Sequence, residues 1–338
     1  MKAPEHYLVV GGGPAGRYAA LTLREKLPEA RITLISQEPR PGYRPNLLPE
    51  FIAGGLSQDE LTAQPVSLFT DREIKLRLGQ KVAGLDLAGR QLVMEHKELI
   101  TFTGLILAVG GRPRVPEPFW NFAGLMLPLK TLAQAQVWKD RLAGAQSVLL
   151  VGGDLTSFAF ARALLKMGKQ VFFVFTPEAF WPLRCRPEMV GHAARSLTGR
   201  GVEVVPGRLK LVYQSGGNRL TVMTDQVEVT VNLVGAFFGL VPDVGFLAGS
   251  GLRLERGVLV DQCLSTGAGP VYAAGDCAQV YHPDLRDYWV SIGHDNAVSL
   301  GRIAAENLAG ACHQVDVPAK DIFCDEGVSA NTSWWVEY

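Results

Sequence analysis

The chain has 338 residues, 47% hydrophobic and 20% charged, with 37 glycines. That is the length of about two ordinary domains and the composition of a packed α/β protein, which excludes a disordered or fibrous chain. Its 33 basic residues balance 33 acidic ones with no basic run standing apart, which excludes an electrostatic footprint for nucleic acid. No apolar run approaches the ~20 residues of a membrane span, and the N-terminal MKAPEHY leads into too short an apolar stretch for a secretory signal. A cytoplasmic protein without membrane insertion is therefore expected.

The first predicted unit is residues 7–36, YLVVGGGPAGRYAALTLREKLPEARITLIS. A continuous apolar run, a glycine turn, a helix with apolar residues at mixed three and four spacing and a second apolar run make a βαβ unit of a parallel sheet. Gly11, Gly13 and Gly16 form G-x-G-x-x-G directly between strand and helix. The first glycine allows a tight turn, the second lets backbone approach a pyrophosphate, and the third lets helix pack on strand, while the helix's first amides face negative charge. A ribose ligand is expected about 20 residues on. There the chain offers Ser36 and, two places later, Glu38, and either can bond the hydroxyls; Glu38 reads equally well as a solvated charge.

Residues 147–175, SVLLVGGDLTSFAFARALLKMGKQVFFVF, repeat the same order, with Gly11 falling on Gly152. The second copy departs from the first at the turn: Asp154 stands where the second glycine belongs and Ser157 where the third does. A carboxylate ~4 Å from a phosphate costs up to about 4 kcal/mol at an effective dielectric near 20. Asp154 can also cap its own helix, accepting from the amides of Thr156 or Ser157 that a pyrophosphate would use. At the end of the second strand Phe175 occupies the place of the acidic residue that selects NAD, and Thr176 and Pro177 bring no arginine for a 2′-phosphate. Glu178, Arg184 and Arg186 in the following loop remain able to recognise a nucleotide.

The five cysteines, Cys185, Cys263, Cys277, Cys312 and Cys324, form no C-x-x-C pair and read as buried, reduced thiols. The six histidines form no metal-binding pair, so no metal is expected. At the end of the chain Trp334 and Trp335 suit either an anchor for a partner or packing against their own domain.

TFTGLILAVGGRPRVP (101–116), GAFFGLVP (235–242) and VYAAGDCAQ (271–279) resemble, in order and spacing, the signature segments of the FAD-dependent pyridine nucleotide-disulfide oxidoreductases. ISQEPRPGYRPNLLPEFIAGG and GRIAAENLAG resemble the branch with rubredoxin and ferredoxin reductases and nitrite reductase flavin domains. The resemblance implies an α/β fold of two Rossmann-like dinucleotide-binding domains. The FAD-binding domain is discontinuous, over 1–115 and 236–312; an NAD(P)-binding-type domain, 116–235, is inserted in it, and 313–338 is a tail in place of the third, dimer-forming domain of many relatives. Pro and Gly punctuation at GGRPRVPEP and GLVPD fits the two crossings.

The resemblance further implies FAD with its pyrophosphate at Gly11, Gly13 and Gly16 and its ribitol held by Asp276, which also reads as a turn or cap. Arg44, Val82, Ala108 and Gly110 join the flavin site, and Gly152 and Gly153 the nicotinamide site. A helix with His294, Asp295 or Asn296 at its start points its positive end at the flavin. His294 is a flavin-side candidate, or a half-buried histidine satisfied by backbone. In the second domain Ala159 replaces a glutamate that relatives place near the nicotinamide.

Disulfide-reducing relatives carry redox cysteines beside the flavin, in the stretch that RPGYRPNLLPE (40–50) occupies here, yet no cysteine precedes Cys185. Electrons must then leave for an acceptor outside the chain. Two functions fit. One is an FAD-dependent oxidoreductase passing electrons between NAD(P)H and an iron–sulfur electron carrier or partner subunit. The alternative is an FAD-bearing electron-transfer subunit of a larger redox complex whose nucleotide site no longer binds NAD(P)H.

Overall fold

The computed structural model describes residues 5–40, 42–176, 187–283, 286–290 and 293–315. Elements used below are strands β1 (His6–Val10), β2 (Arg31–Ser36), β3 (Ile74–Leu78), β4 (Gly104–Leu107), β5 (Ser147–Gly152), β6 (Gln170–Phe175), β7 (Leu233–Phe237) and β8 (Val271–Ala273), with helices α1 (Pro14–Lys26), α2 (Leu48–Ile52), α3 (Leu132–Leu142), α4 (Leu155–Lys166) and α5 (His294–Leu308). They fall into two compact units. One takes the chain up to Arg44, Thr62–Arg112 and the part from Val241 onward; the other takes Pro45–Leu61 and Pro113–Leu240.

In the first unit a five-stranded parallel sheet runs β8-β4-β1-β2-β3. Leu8, Val9, Leu34, Leu105, Ile106 and Leu107 have no exposed surface, as expected of strands covered on both faces. Helix α1 packs against α5, and an antiparallel three-stranded sheet, Val82–Asp86, Gln91–Met94 and Leu99–Thr101, precedes β4.

The second unit repeats the plan. Its five parallel strands are ordered Glu203–Val204, β6, β5, β7, Met126–Leu127. A second antiparallel sheet of Leu209–Gly216, Arg219–Thr224 and Glu228–Val231 precedes β7. Thr131 and Gln134 close a reciprocal capping box at the start of α3, and the fully buried Trp138 of α3 meets Phe160 of α4 edge to face at 4.7 Å.

Residues 45–61, read with the first domain from sequence, pack with the second unit. Helix α2 is five residues long and cannot stand alone. It buries Leu48, Phe51 and Ile52 against α3 and α4, where Lys139 Nζ lies 4.3 Å from the Phe51 ring centre and Lys166 Nζ lies 3.2 Å from Glu50. The chain changes units between Arg112 and Pro113 and between Leu240 and Val241, a few residues from the expected 115 and 236. Among the described residues no helix is long and apolar enough to cross a membrane.

Candidate functional site

In the first unit the turn between β1 and α1 is built by close approach. Gly11 has φ +120°, and a Cβ on it would collide with the Ala108 carbonyl, while a Cβ on Gly16 would collide with the carbonyl of Gly11. Gly13 is different: a Cβ there meets nothing within 4 Å. Gly13 is also the N-cap of α1, with Pro14 following and no side chain capping the helix. The first amides of α1 are thus left without a side-chain acceptor beside open space, the arrangement that receives an anionic group.

Four residues after Gly13 lies a residue that the sequence reading passed over. Arg17 is 1% exposed, and none of Nε, Nη1 and Nη2 has a hydrogen-bond partner. Burial pulls its pKa down to about 10, opposed by the proximity of Tyr18, Tyr43 and Glu38, so it stays charged at neutral pH. A buried guanidinium without hydrogen-bond acceptors is strongly unfavourable. A dinucleotide pyrophosphate would supply the acceptors that the guanidinium lacks, and Arg17 therefore fits FAD at this turn. Only its place as a polar residue in the first turn of a nucleotide-type helix could have signalled it in the sequence.

The expected ribose residues divide. Ser36 is buried and its hydroxyl accepts the backbone N–H of Glu38 at 3.1 Å; the partly buried Glu38 accepts from the Tyr43 hydroxyl at 2.8 Å. Ser36 thereby shapes the turn that carries Glu38. Ala108 and Val82 are buried, and Gly110, with φ +67°, accepts the N–H of Asp243 at 3.0 Å. Asp276 lies in the 3₁₀ turn Gly275–Cys277 and is partly exposed.

His294 opens α5 behind Gly293, which has φ +111° and provides no side-chain cap. Its Nδ1 is buried and unpartnered. Burial holds its pKa below the ordinary histidine value, reinforced by Arg17 and Arg44 and opposed by Asp295. His294 thus senses the charges of both Arg17 and Arg44, which places the start of α5 in the electrostatic neighbourhood of the start of α1 and of the segment after β2.

In the second unit the matching turn keeps its backbone. Gly152 has φ +134°, a Cβ on it would strike the Phe237 carbonyl, and Gly153 N–H donates to that carbonyl at 3.1 Å. Here α4 is capped by the protein itself. The Asp154 carboxylate accepts the N–H of Ser157 at 2.9 Å. Burial raises its pKa to about 6, against the lowering effect of the amides of Ser157, Gly239 and Thr156 and of nearby Lys130. Ser157, at the third glycine's place, is fully buried, and its hydroxyl donates to the Asp154 carbonyl at 2.5 Å.

Phe175 packs on Phe173 and Phe158 with ring centres 4.6 and 6.1 Å apart. Thr176 is buried with an unpartnered hydroxyl, which leaves a polar group, though no charge, at the strand end. Ala159 is partly buried on α4. Glu178, Arg184, Arg186, Cys185, Cys324, Trp334 and Trp335 lie outside the described residues, as does the tail beyond Val315.

The reading of all five cysteines as buried needs correction. Cys277 is buried, with its thiol pushed up to about 11 by desolvation. Cys312, however, is exposed and Cys263 half-buried, and their sulfurs are 3.7 Å apart. Their separation of 49 residues hid this contact.

The sequence pattern of the pyridine nucleotide-disulphide oxidoreductase family matches residues 5–296. Rhodocoxin reductase of Rhodococcus erythropolis is 28% identical over 316 residues, covering 92% of this chain and 74% of the relative. Rubredoxin-NAD(+) reductase of Alcanivorax borkumensis is 27% identical over 277 residues, covering 81% and 72%. Among solved structures, a ferredoxin reductase from Rhodopseudomonas palustris superposes with a TM-score of 0.81 at 26% identity, covering 92% of this chain and 78% of that one.

Proposed function

This chain belongs to the pyridine nucleotide-disulphide oxidoreductase family, and from that premise we propose that it is an FAD-dependent oxidoreductase passing electrons between NAD(P)H and an iron–sulfur protein carrier or partner subunit. Its similarity to rhodocoxin reductase and to rubredoxin-NAD(+) reductase supports an electron carrier as the partner. The observation that carries the reading is the buried, unpartnered guanidinium of Arg17 beside the uncapped start of α1, which calls for a bound dinucleotide. No cysteine occurs in the first 184 residues, so the electrons leave the chain instead of reducing an internal disulfide.

In this reading Gly11, Gly13, Gly16 and Arg17 hold the FAD pyrophosphate. Glu38 bonds a ribose, with Ser36 fixing its turn, and Asp276 bonds the ribitol. Arg44, Val82, Ala108 and Gly110 complete the walls, and His294 places a neutral imidazole and the positive end of α5 on the flavin side. Bound FAD supplies the conversion of a two-electron hydride into single electrons. For each NAD(P)H oxidised, two one-electron acceptors are reduced and one proton passes to solvent. Gly152, Gly153 and Thr176 receive the nicotinamide nucleotide against the resident charge of Asp154. The cytoplasm is the compartment proposed, since this is where reduced nicotinamide nucleotides and unpaired thiols coexist.

Asp154 favours a second reading. Its carboxylate already occupies the α4 amides, which suits an FAD-bearing electron-transfer subunit fed by a partner. Stoichiometry tests the proposal: FAD-loaded protein given NADH and excess ferricyanide under argon should reduce two ferricyanides per NADH. Folded protein that binds no FAD, or that binds FAD and consumes no NADH or NADPH, would overturn it.

A further inference from the structure

Asp261–Ser265 is a tight turn between strands Val258–Val260 and β8. Asp261 Oδ1 accepts the N–H of Cys263 at 2.9 Å and of Ser265 at 2.8 Å, which fixes the turn and the direction of the Cys263 backbone. The segment after α5 returns along it. Buried Asn307 donates to the Cys263 carbonyl at 2.8 Å and to the His313 carbonyl at 2.7 Å, and accepts the N–H of His313 at 2.7 Å. Val315 N–H donates to the Gln262 carbonyl at 2.8 Å. The bonds of Asn307 and Val315 thus clamp two stretches that are far apart in the chain, and between them Cys263 and Cys312 meet sulfur to sulfur at 3.7 Å.

That separation is van der Waals contact, well beyond the ~2.05 Å of a disulfide, so both thiols are reduced here. We propose that Cys263 and Cys312 form a reversible thiol–disulfide site that reacts with small-molecule disulfides of the glutathione class. Exposed Cys312 attacks as its thiolate, having lost a proton to solvent. A bond forms from its sulfur to one sulfur of the small disulfide, and the other sulfur leaves as a thiolate. Cys263 then gives up its proton and attacks the Cys312 sulfur, releasing the second small thiol. The two protein thiols are oxidised by two electrons, and one small disulfide is reduced to two thiols.

The division of labour follows from accessibility. Cys263 is less exposed, and burial, the contact with Cys312 and nearby Asp261 raise its pKa, so it is the poorer first nucleophile and the placed resolving thiol. The bond would fasten the segment after α5 to the 261–265 turn. It is independent of the route by which electrons reach or leave the flavin.

The test uses the full-length, flavin-loaded protein, freed of reductant and treated with glutathione disulfide. Peptides are then mapped without reduction, and flavin absorbance reports folding. Wild type should yield the Cys263 peptide joined to the Cys312 peptide, reversed by dithiothreitol. Cys263→Ser should instead accumulate one glutathione on Cys312, and Cys312→Ser should react at Cys263 at least about tenfold more slowly than wild type. A stable glutathione adduct on Cys312 in wild type without the joined peptides, or no reaction at either cysteine, would overturn the proposal.

Discussion

The carboxylate of Asp154 accepts the Ser157 amide at 2.9 Å, so the second dinucleotide turn carries its own anion. At the first turn Gly13 leaves the corresponding place open, and the Arg17 guanidinium lies buried without a hydrogen-bond partner. The two halves of one repeated plan differ at the helix start: the first has no side-chain acceptor there and the second already holds an anion. Nucleotide binding in the second unit must therefore displace or neutralise Asp154.

That gives a pH dependence. Asp154 has a folded pKa of about 6, above its ordinary value of 3.8. Because the folded state holds this proton more tightly, its contribution to stability is favourable below both values, is lost as pH rises from 3.8 through 6, and stays lost above. Wild-type NADH affinity should therefore strengthen as pH falls from 7.5 to 5.5. Asp154→Asn, which keeps a capping oxygen without the charge, should bind NADH more tightly at pH 7.5 and with a flatter pH profile. Asp154→Gly should gain up to about 3 kcal/mol of binding while losing a few tenths of helix stability. Titration calorimetry of all three at two pH values checks this; equal affinities would make Asp154 a harmless cap.

Arg17 predicts effects of opposite sign in the two states of the protein. Replacing Arg17 by Met removes a buried charge that has no hydrogen-bond partner, so flavin-free protein should melt at the same temperature or higher. The same change should weaken FAD binding by about 10- to 100-fold, the loss of one or two charge-assisted hydrogen bonds. Thermal melts with and without FAD read both. An unchanged FAD affinity would mean that Arg17 faces something else.

At the glycine turn, Gly13 is the informative position. Gly13→Asp has room to fold, because a Cβ there meets nothing within 4 Å, and it sets a carboxylate where the pyrophosphate should lie. The purified variant should be folded by circular dichroism and colourless. Gly11→Ala would collide with the Ala108 carbonyl and would report only on folding. A yellow, folded Gly13→Asp protein would place the flavin elsewhere.

Sulfur should be dispensable for turnover. Cys277 is buried, and its thiol, pushed up to about 11 by desolvation, is protonated at neutral pH, so Cys277→Ala should keep ferricyanide reduction within about twofold while costing about 1 kcal/mol of stability. Cys185→Ala should likewise keep ferricyanide reduction. A folded variant of either kind that retains flavin but loses turnover would restore a cysteine to the electron path.

Much of this was legible in the chain because parallel strands announce themselves. LVV and VLLV are apolar throughout, as strands covered on both faces must be, ITLI is broken only by the buried Thr33, and the two glycine turns repeat in register. The cap of Asp154 on Ser157 was also legible, since both partners lie within one helical turn. What escaped was set by long-range packing. Helix α2 joins the second unit because α3 and α4 offer it a partner, which nothing in PNLLPEFIA encodes locally. The contact of Cys263 with Cys312 depends on Asn307 holding two distant segments together. Arg17 looks like any surface arginine until the fold closes around it.

The central claim, that this chain moves electrons from a reduced nicotinamide nucleotide through FAD, is tested most directly by mixing the FAD-loaded protein with one equivalent of NADH or NADPH under argon and following the flavin's visible absorbance. At least one nucleotide should bleach the flavin, faster at pH 6 than at pH 8, with colour restored on adding ferricyanide. A flavin that dithionite bleaches but that neither nucleotide reduces at either pH would contradict it, and would leave the chain as a flavin-bearing subunit supplied with electrons by a partner.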